Sequence, residues 1–215
     1  MHNQPSIVLI KRLFNKKGSR MPKVGMPEIR KPQLIEAAIK AIDKYGFAGA
    51  TVSVIGKKAG VSPAIINHYF GGKDGLYEAT MRSLIREFFE GLSQEVMKAK
   101  NKSAKHKVMA IVKASFSQSQ THPQVVKAWM GFWASAMHTP SLYRLQNIYS
   151  NRLQTSLVCV LKEDFEIKKA RRIALTVAAL IDGMWLRGSL AGGINKQESA
   201  GQIQDYLDLV FQDRI

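Results

Sequence analysis

An all-α fold of nine helices is what the sequence predicts, a small bundle first and a larger one after it. Three observations carry this expectation. Apolar residues recur every three to four positions along the chain, and no stretch shows the alternation of a strand. The helical stretches are bounded by Ser, Thr, Pro and Gly placed where helices start and stop. Finally, the run TVSVIGKKAGVSPAIINHYFGGK, residues 51–73, reads as two short helices about a tight turn, too short to stand without a neighbour.

Taken in order, residues 1–20 have no sustained period and hold five basic and no acidic residues, a flexible basic extension by composition. Met21-Pro22-Lys23 reads as a start in its own right. A first long helix is expected over about 31–45, with Pro32 at N1 and Leu34, Ala37, Ala38, Ala41 and Ile42 on one stripe. Thr51 is placed to cap the first short helix, and Gly60 suits its C′ position, where φ is positive. Ser62 is placed to cap the second, with Pro63 at N1 and Ile65, Ile66, Tyr69 and Phe70 following before Gly71-Gly72. A long helix then opens at Lys73 and continues through Val96. Further helices are expected at about 104–119, 121–137, 140–162, 168–190 and 196–212, with Thr121 as a cap for the second of these. The expected domains are therefore the extension 1–20, a helix-turn-helix domain 21–75 and a helical domain 76–215.

Composition narrows the function classes. A net charge of +16 favours a polyanionic partner, nucleic acid first. No apolar run reaches the roughly 20 residues of a bilayer span, since Asp182 and Arg187 interrupt the longest, so no membrane partner is expected. The single Cys159 excludes an internal disulfide and points to a reducing, cytoplasmic setting; within the run LVCVL it reads as inert packing. His68, His106, His122 and His138 are widely spaced, and no HExxH, Cys cluster or nucleophile elbow is present, so no metal, cofactor or enzyme activity is expected.

The two short helices point to DNA. An apolar side holds the second helix to its neighbours, and the other side, with Ser62, Ala64, Ile65, Asn67 and His68, is free to enter a major groove. These side chains are small or neutral, which suits close approach to base edges while phosphates are gripped from elsewhere. On that reading the basic extension is either dispensable or an arm lying on DNA.

The run AGVSPAIINHYFGGKDGLYEA resembles the hallmark of the TetR family of bacterial repressors: an Ala-Gly-Val-Ser turn, a recognition helix, an aromatic pair ending in Phe, then Lys-x-x-Leu. The resemblance implies that Ser62, Ala64, Ile65, Asn67 and His68 meet bases or their phosphates. It also implies that Tyr69 and Lys73 grip the backbone, with Thr51 and Pro63 completing the contact set. Many members carry Tyr where this chain has Asn67. From Met21 onward, MPKVGMPEIRKPQLIEA, KAWMGFWASAMHTPSLYRLQ and ALIDGMWLRGSL are similar to one subgroup, the choline-responsive repressors of glycine betaine biosynthesis. That likeness implies control of genes for choline uptake and oxidation. The alternative is a repressor of the same fold that senses a drug or an acyl compound.

Choline is a quaternary ammonium, held by aromatic faces and a nearby carboxylate. Trp129, Phe132, Trp133, Tyr143 and Trp185 are the aromatic candidates, with Asp182 the acid on an otherwise apolar helix face. Such a stripe serves a core as readily as a cage, and Asp182 is equally placed to pair with Arg187 or to cap Gly183. The last two helices carry wide apolar faces, Ile173, Val177, Leu180, Ile181 and Leu190 with Ile203, Tyr206, Leu207, Val210 and Phe211. By the resemblance these form a homodimer interface. Two recognition helices would then lie one DNA turn apart, ~34–36 Å, on a pseudo-palindromic double-stranded operator.

Overall fold

The computed structural model describes residues 27–212 and contains nine helices and no strand among them. The extension 1–20, the start at Met21 and the first residues of the 21–75 domain lie outside the described residues. The helices are α1 (Pro27–Gly49), α2 (Val52–Ala59), α3 (Pro63–Phe70), α4 (Lys73–Lys98), α5 (Ala104–Ser115), α6 (Pro123–Ala136), α7 (Pro140–Leu161), α8 (Ile167–Leu190) and α9 (Lys196–Gln212). They fall into two compact units. One runs to Glu87 and takes in Lys127–Leu142; the other holds Phe88–Val126 and the described residues from Tyr143 onward. The expected division after residue 75 falls inside the first unit, because Leu76 and Tyr77 of α4 belong to its core.

That small core joins Leu34, Ala37, Ala38, Ala41 and Ile42 of α1 to Ile55 of α2, Ile66 of α3 and Leu76 and Tyr77 of α4. The stripe on α1 is as expected, but the helix starts earlier, so Pro32 lies inside it rather than at N1. Pro27 takes the start instead, and Pro32 is tolerated on the exposed side near the helix end, at the loss of one backbone bond. Helical geometry breaks at Gly46 (φ 70°, ψ 172°), and the chain turns through Phe47–Ala50 into α2. The Tyr77 hydroxyl locks this turn, 2.9 Å from the Phe47 carbonyl and 2.5 Å from that of Ala50, its one proton serving both. The Phe47 and Tyr77 rings stack at 4.2 Å.

α6 docks on the same turn. A Cβ at Gly131 would lie 2.6 Å from the Phe47 ring, so only glycine admits this approach. Four residues earlier, Lys127 pairs with Asp43 of α1 at 2.7 Å.

The second unit is built on Phe88, Phe89 and Leu92 of α4, Val108, Ile111 and Val112 of α5, Leu145, Tyr149, Leu153 and Leu157 of α7, Ile173, Val177 and Ile181 of α8, and Ile203 and Leu207 of α9. α9 packs on α5 and α8, and Lys105 pairs with Asp208 across the first of these contacts. α5 stops at Ser115, short of the expected 119, because Phe116 leaves helical geometry (φ −105°, ψ 19°) to bury its ring. Thr121 does not cap α6; its hydroxyl donates back to the Ser117 carbonyl at 3.0 Å, and the His122 ring accepts from Gln124 N at 3.4 Å instead. Cys159 is exposed rather than packed, since Leu157, Val160 and Leu161 take the inward positions of that turn of α7. Among the described helices α8 alone is long and apolar enough to cross a membrane by length and composition, and seven of its residues are buried within the protein.

Candidate functional site

Local signals position the two short helices. The Thr51 hydroxyl accepts from Val54 N at 3.3 Å, capping α2 as its residue type dictates. Gly60 adopts φ 68°, ψ 35° at the other end, a conformation that β-carbons disfavour, and Val61 N closes the turn on the Gly56 carbonyl at 2.9 Å. α3 follows with Pro63 in its first turn, but the Ser62 hydroxyl makes no capping bond, so it remains available at the helix start.

α3 has one inward residue, Ile66, fully buried, with Ile65, Tyr69 and Phe70 packed on the core from its flanks. Ser62, Pro63, Ala64, Asn67 and His68 are exposed, as is Thr51 at the head of α2. Six of the nine expected contact residues are thus exposed, and Ile65, Tyr69 and Lys73 are partly buried. Tyr69 carries the His68 ring edge-on at 5.1 Å, which orients the imidazole. Lys73 donates to the Ala48 carbonyl at 3.1 Å and lies 5.3 Å from the Tyr77 ring, so its ammonium is held beside the α1–α2 turn. Tyr77 was not legible as a key residue: a Tyr in a helical apolar stripe signals only core. Burial pushes its phenol above its ordinary range, and Asp74 adds to this.

The expected effector residues separate into groups. Trp129, Phe132 and Trp133 lie together on α6, the first two buried and edge-to-face at 5.7 Å, with Trp129 and Trp133 at 6.2 Å. All three belong to the first unit. Tyr143 is 56% exposed on the outer side of α7. Asp182 and Trp185 sit one turn apart on α8 in the second unit, Trp185 buried.

Asp182 takes its hydrogen bond from the Tyr149 hydroxyl of α7, rather than from Arg187, which is exposed. Burial raises the Asp182 carboxyl from its ordinary 3.8 to about 6, and the Tyr149 bond draws it back only in part. The same burial, with the charge of Asp182, pushes the Tyr149 phenol well up. Two rings of α4 face Tyr149, Phe88 at 5.5 Å and Phe89 at 6.1 Å, and they meet each other edge-on at 4.9 Å. Tyr149, Phe88 and Phe89 escaped the sequence reading because each sits at an ordinary core position. A half-buried carboxylate bonded to a tyrosine whose ring meets two phenylalanines is suited to a small organic cation. Among the described residues no group of three His, Cys, Asp or Glu side chains is placed to hold a metal.

An exposed reading helix set by a capped Gly turn, on an all-α chain with a second helical unit, defines a helix-turn-helix transcription regulator. The family model for bacterial regulatory proteins of the TetR family matches residues 34–80, and that for the C-terminal part of BetI-type transcriptional repressors matches residues 104–212. The HTH-type transcriptional regulator BetI of Burkholderia cenocepacia (strain HI2424) is 42% identical over 192 residues, covering 89% of this chain and 98% of the relative. BetI of Vibrio atlanticus is 44% identical over 189 residues, covering 87% and 94%. Among solved structures, a transcriptional regulator from Pseudomonas aeruginosa PAO1 superposes with TM-score 0.74 at 28% identity, over 87% of this chain and 92% of the other. A regulator from Saccharomonospora viridis, solved in complex with choline, shares the fold with TM-score 0.72 at 19% identity, over 85% and 97%. This chain belongs to the TetR family of transcriptional regulators. It is a DNA-binding regulator, not an enzyme.

Proposed function

We propose that the protein represses genes for glycine betaine synthesis and choline uptake, in the cytoplasm, and that choline or a close quaternary amine releases it from its operator. The observation that carries this reading is the combination of an exposed α3 face with an Asp182 carboxylate held by Tyr149, whose ring faces Phe88 and Phe89, in a chain 42–44% identical to regulators named BetI. Ser62, Ala64, Asn67 and His68 read the major groove from α3, while Thr51, Pro63, Tyr69 and Lys73 hold the backbone. Ile65 supports the helix from its half-buried flank. On the effector side Asp182 anchors the cation, with Trp185 one turn along α8.

The protein acts as a homodimer in this reading. Leu175, Leu186 and Leu190 of α8 and Leu209 of α9 stay exposed, 58%, 37%, 75% and 64% respectively, after the protomer core has taken the opposite side of each helix. A groove of about 220 Å³ on the same two helices is lined by Lys169, Arg172, Ile173, Thr176, Tyr206 and Val210. Such a face fits a two-fold partner, which aligns two α3 helices on a pseudo-palindromic site. Sedimentation at micromolar concentration is expected to give a dimer; a monomer would count against it.

α4 links effector to operator. It runs unbroken from Lys73 to Lys98, contributing Leu76 and Tyr77 to one core and Phe88 and Phe89 to the other. An effector that repositions the Phe88–Phe89 segment acts on a helix whose first turn supports α3. Operator titration by fluorescence anisotropy at fixed salt, with and without choline, tests the function directly. Choline is expected to weaken operator binding at least tenfold, and the operator to weaken choline binding by the same factor. Unchanged operator affinity at saturating choline refutes the effector assignment.

A further inference from the structure

We propose that the groove on α8 and α9 is a socket for the carboxylate of the partner's Asp205, so that crosswise ion pairs, and not apolar burial alone, hold two protomers together and make the dimer sensitive to ionic strength. This rests on the homodimer reading above. α8 opens with Lys168, Lys169, Arg171 and Arg172, all exposed, and its first turn carries no acid. The helix dipole disfavours positive charge at that end, so nothing within α8 accounts for the cluster. Lys169, Arg172, Thr176 and Tyr206 line the groove with Ile173 and Val210, and two cations beside two hydroxyl-bearing side chains suit a carboxylate. Nearby acids are engaged elsewhere, Glu163 by Lys107 at 2.7 Å and Asp208 by Lys105. Lys169 rests 5.2 Å from the Phe165 ring centroid, and among the described residues neither it nor Arg172 has a carboxylate partner.

Asp205 is the complementary group. Among the described acids of α9, Glu198 takes the Asn195 amide at 3.1 Å and Asp208 pairs with Lys105, which leaves Asp205 exposed and unpaired. It lies one turn before the exposed Leu209, as Arg172 lies one turn before the exposed Leu175. Each charge therefore borders the apolar part of the face that a two-fold partner covers. In an isologous contact a residue of one sign meets its counterpart of the other sign twice: Arg172 meets the partner's Asp205, and Asp205 meets the partner's Arg172. Without that exchange, dimerisation would bring two clusters of cations together with no counter-charge.

Sedimentation equilibrium of the full chain in sodium chloride tests this without a variant. The dimer dissociation constant is expected to rise roughly tenfold between about 0.05 and 1 M salt, because exposed ion pairs are screened and apolar contacts are not. Arg172→Glu and Asp205→Arg should each weaken the dimer by roughly tenfold or more at low salt, since each sets like charges against one another. The chain carrying both substitutions should regain the wild-type dimer. Both positions are exposed, so each variant should melt as the wild type does. An equimolar mixture of the two single variants should form mixed dimers in preference to either homodimer, read by native mass spectrometry; a contact inside one protomer would give no such preference. A dimer indifferent to salt, or a statistical mixture of the two variants, overturns this inference and leaves the homodimer reading intact. A monomer at every salt concentration removes both.

Discussion

Replacing Asp182 by Asn should stabilise the protein while destroying its response to effector. Burial holds the Asp182 carboxyl at about 6 against an ordinary 3.8, so the folded chain keeps this proton more tightly than the unfolded one. The sign follows from that order: between the two values the unfolded state binds fewer protons, so stability falls as pH rises, and the loss is complete above about 6. A shift of roughly two units corresponds to about 2–3 kcal/mol at pH 7.5, after allowance for partial solvent access. Asn keeps the acceptor for the Tyr149 hydroxyl and removes the charge. The variant should therefore exceed the wild type by about 2–3 kcal/mol at pH 7.5, by about half of that at pH 5, and by little at pH 4. Thermal unfolding across this pH series, followed by the near-ultraviolet signal of the tryptophans, reads the difference. A variant less stable than wild type at pH 7.5, or a difference that does not change with pH, refutes the claim that Asp182 carries a buried charge. Added choline should raise the melting temperature of the wild type and leave that of the variant nearly unchanged.

Lys73→Ala should weaken operator and random DNA alike and reduce the slope of log affinity against log salt by about 0.9, one phosphate contact's worth. A changed melting temperature with an unchanged slope would instead assign Lys73 wholly to the Ala48 turn. Tyr77→Phe leaves the Phe47 and Ala50 carbonyls without their shared donor and should cost about 1–3 kcal/mol in urea unfolding. No loss of stability would show that water serves the turn as well. Gly131→Ala drives a methyl into the Phe47 ring and should destabilise by about 1–3 kcal/mol through overpacking. Asp43→Asn, which weakens the Lys127 pair at the α1–α6 contact, should cost well under ~1 kcal/mol in the same assay. Similar losses in the two variants would mean that the Phe47 contact is not what seats α6.

What could be read directly from the chain is what depends on neighbours a few residues apart. Thr51 bonds Val54, Gly60 closes on Lys57 and Gly56, and Pro63 starts α3, so the reading helix announces itself within twenty residues. The proposed effector end has a weaker signature. Asp182 stands out as the acid on an apolar helix face, but Tyr149 reads as an ordinary core tyrosine, and nothing local joins the two until α7 and α8 are packed. The same holds for α6: Lys127 finds Asp43 across 84 residues, and nothing local in WMGFW tells that Gly131 is the point of approach to Phe47. The Trp129–Trp133 stripe is visible as a stripe, but spacing fixes a face and not the partner of that face. This asymmetry has a physical cause. DNA is one surface met by many proteins, so the helix that reads it is held by short-range geometry that a sequence must spell out. An effector site inside a bundle can be assembled from any helices whose inward faces meet, and a single buried charge among rings is enough to give it chemistry.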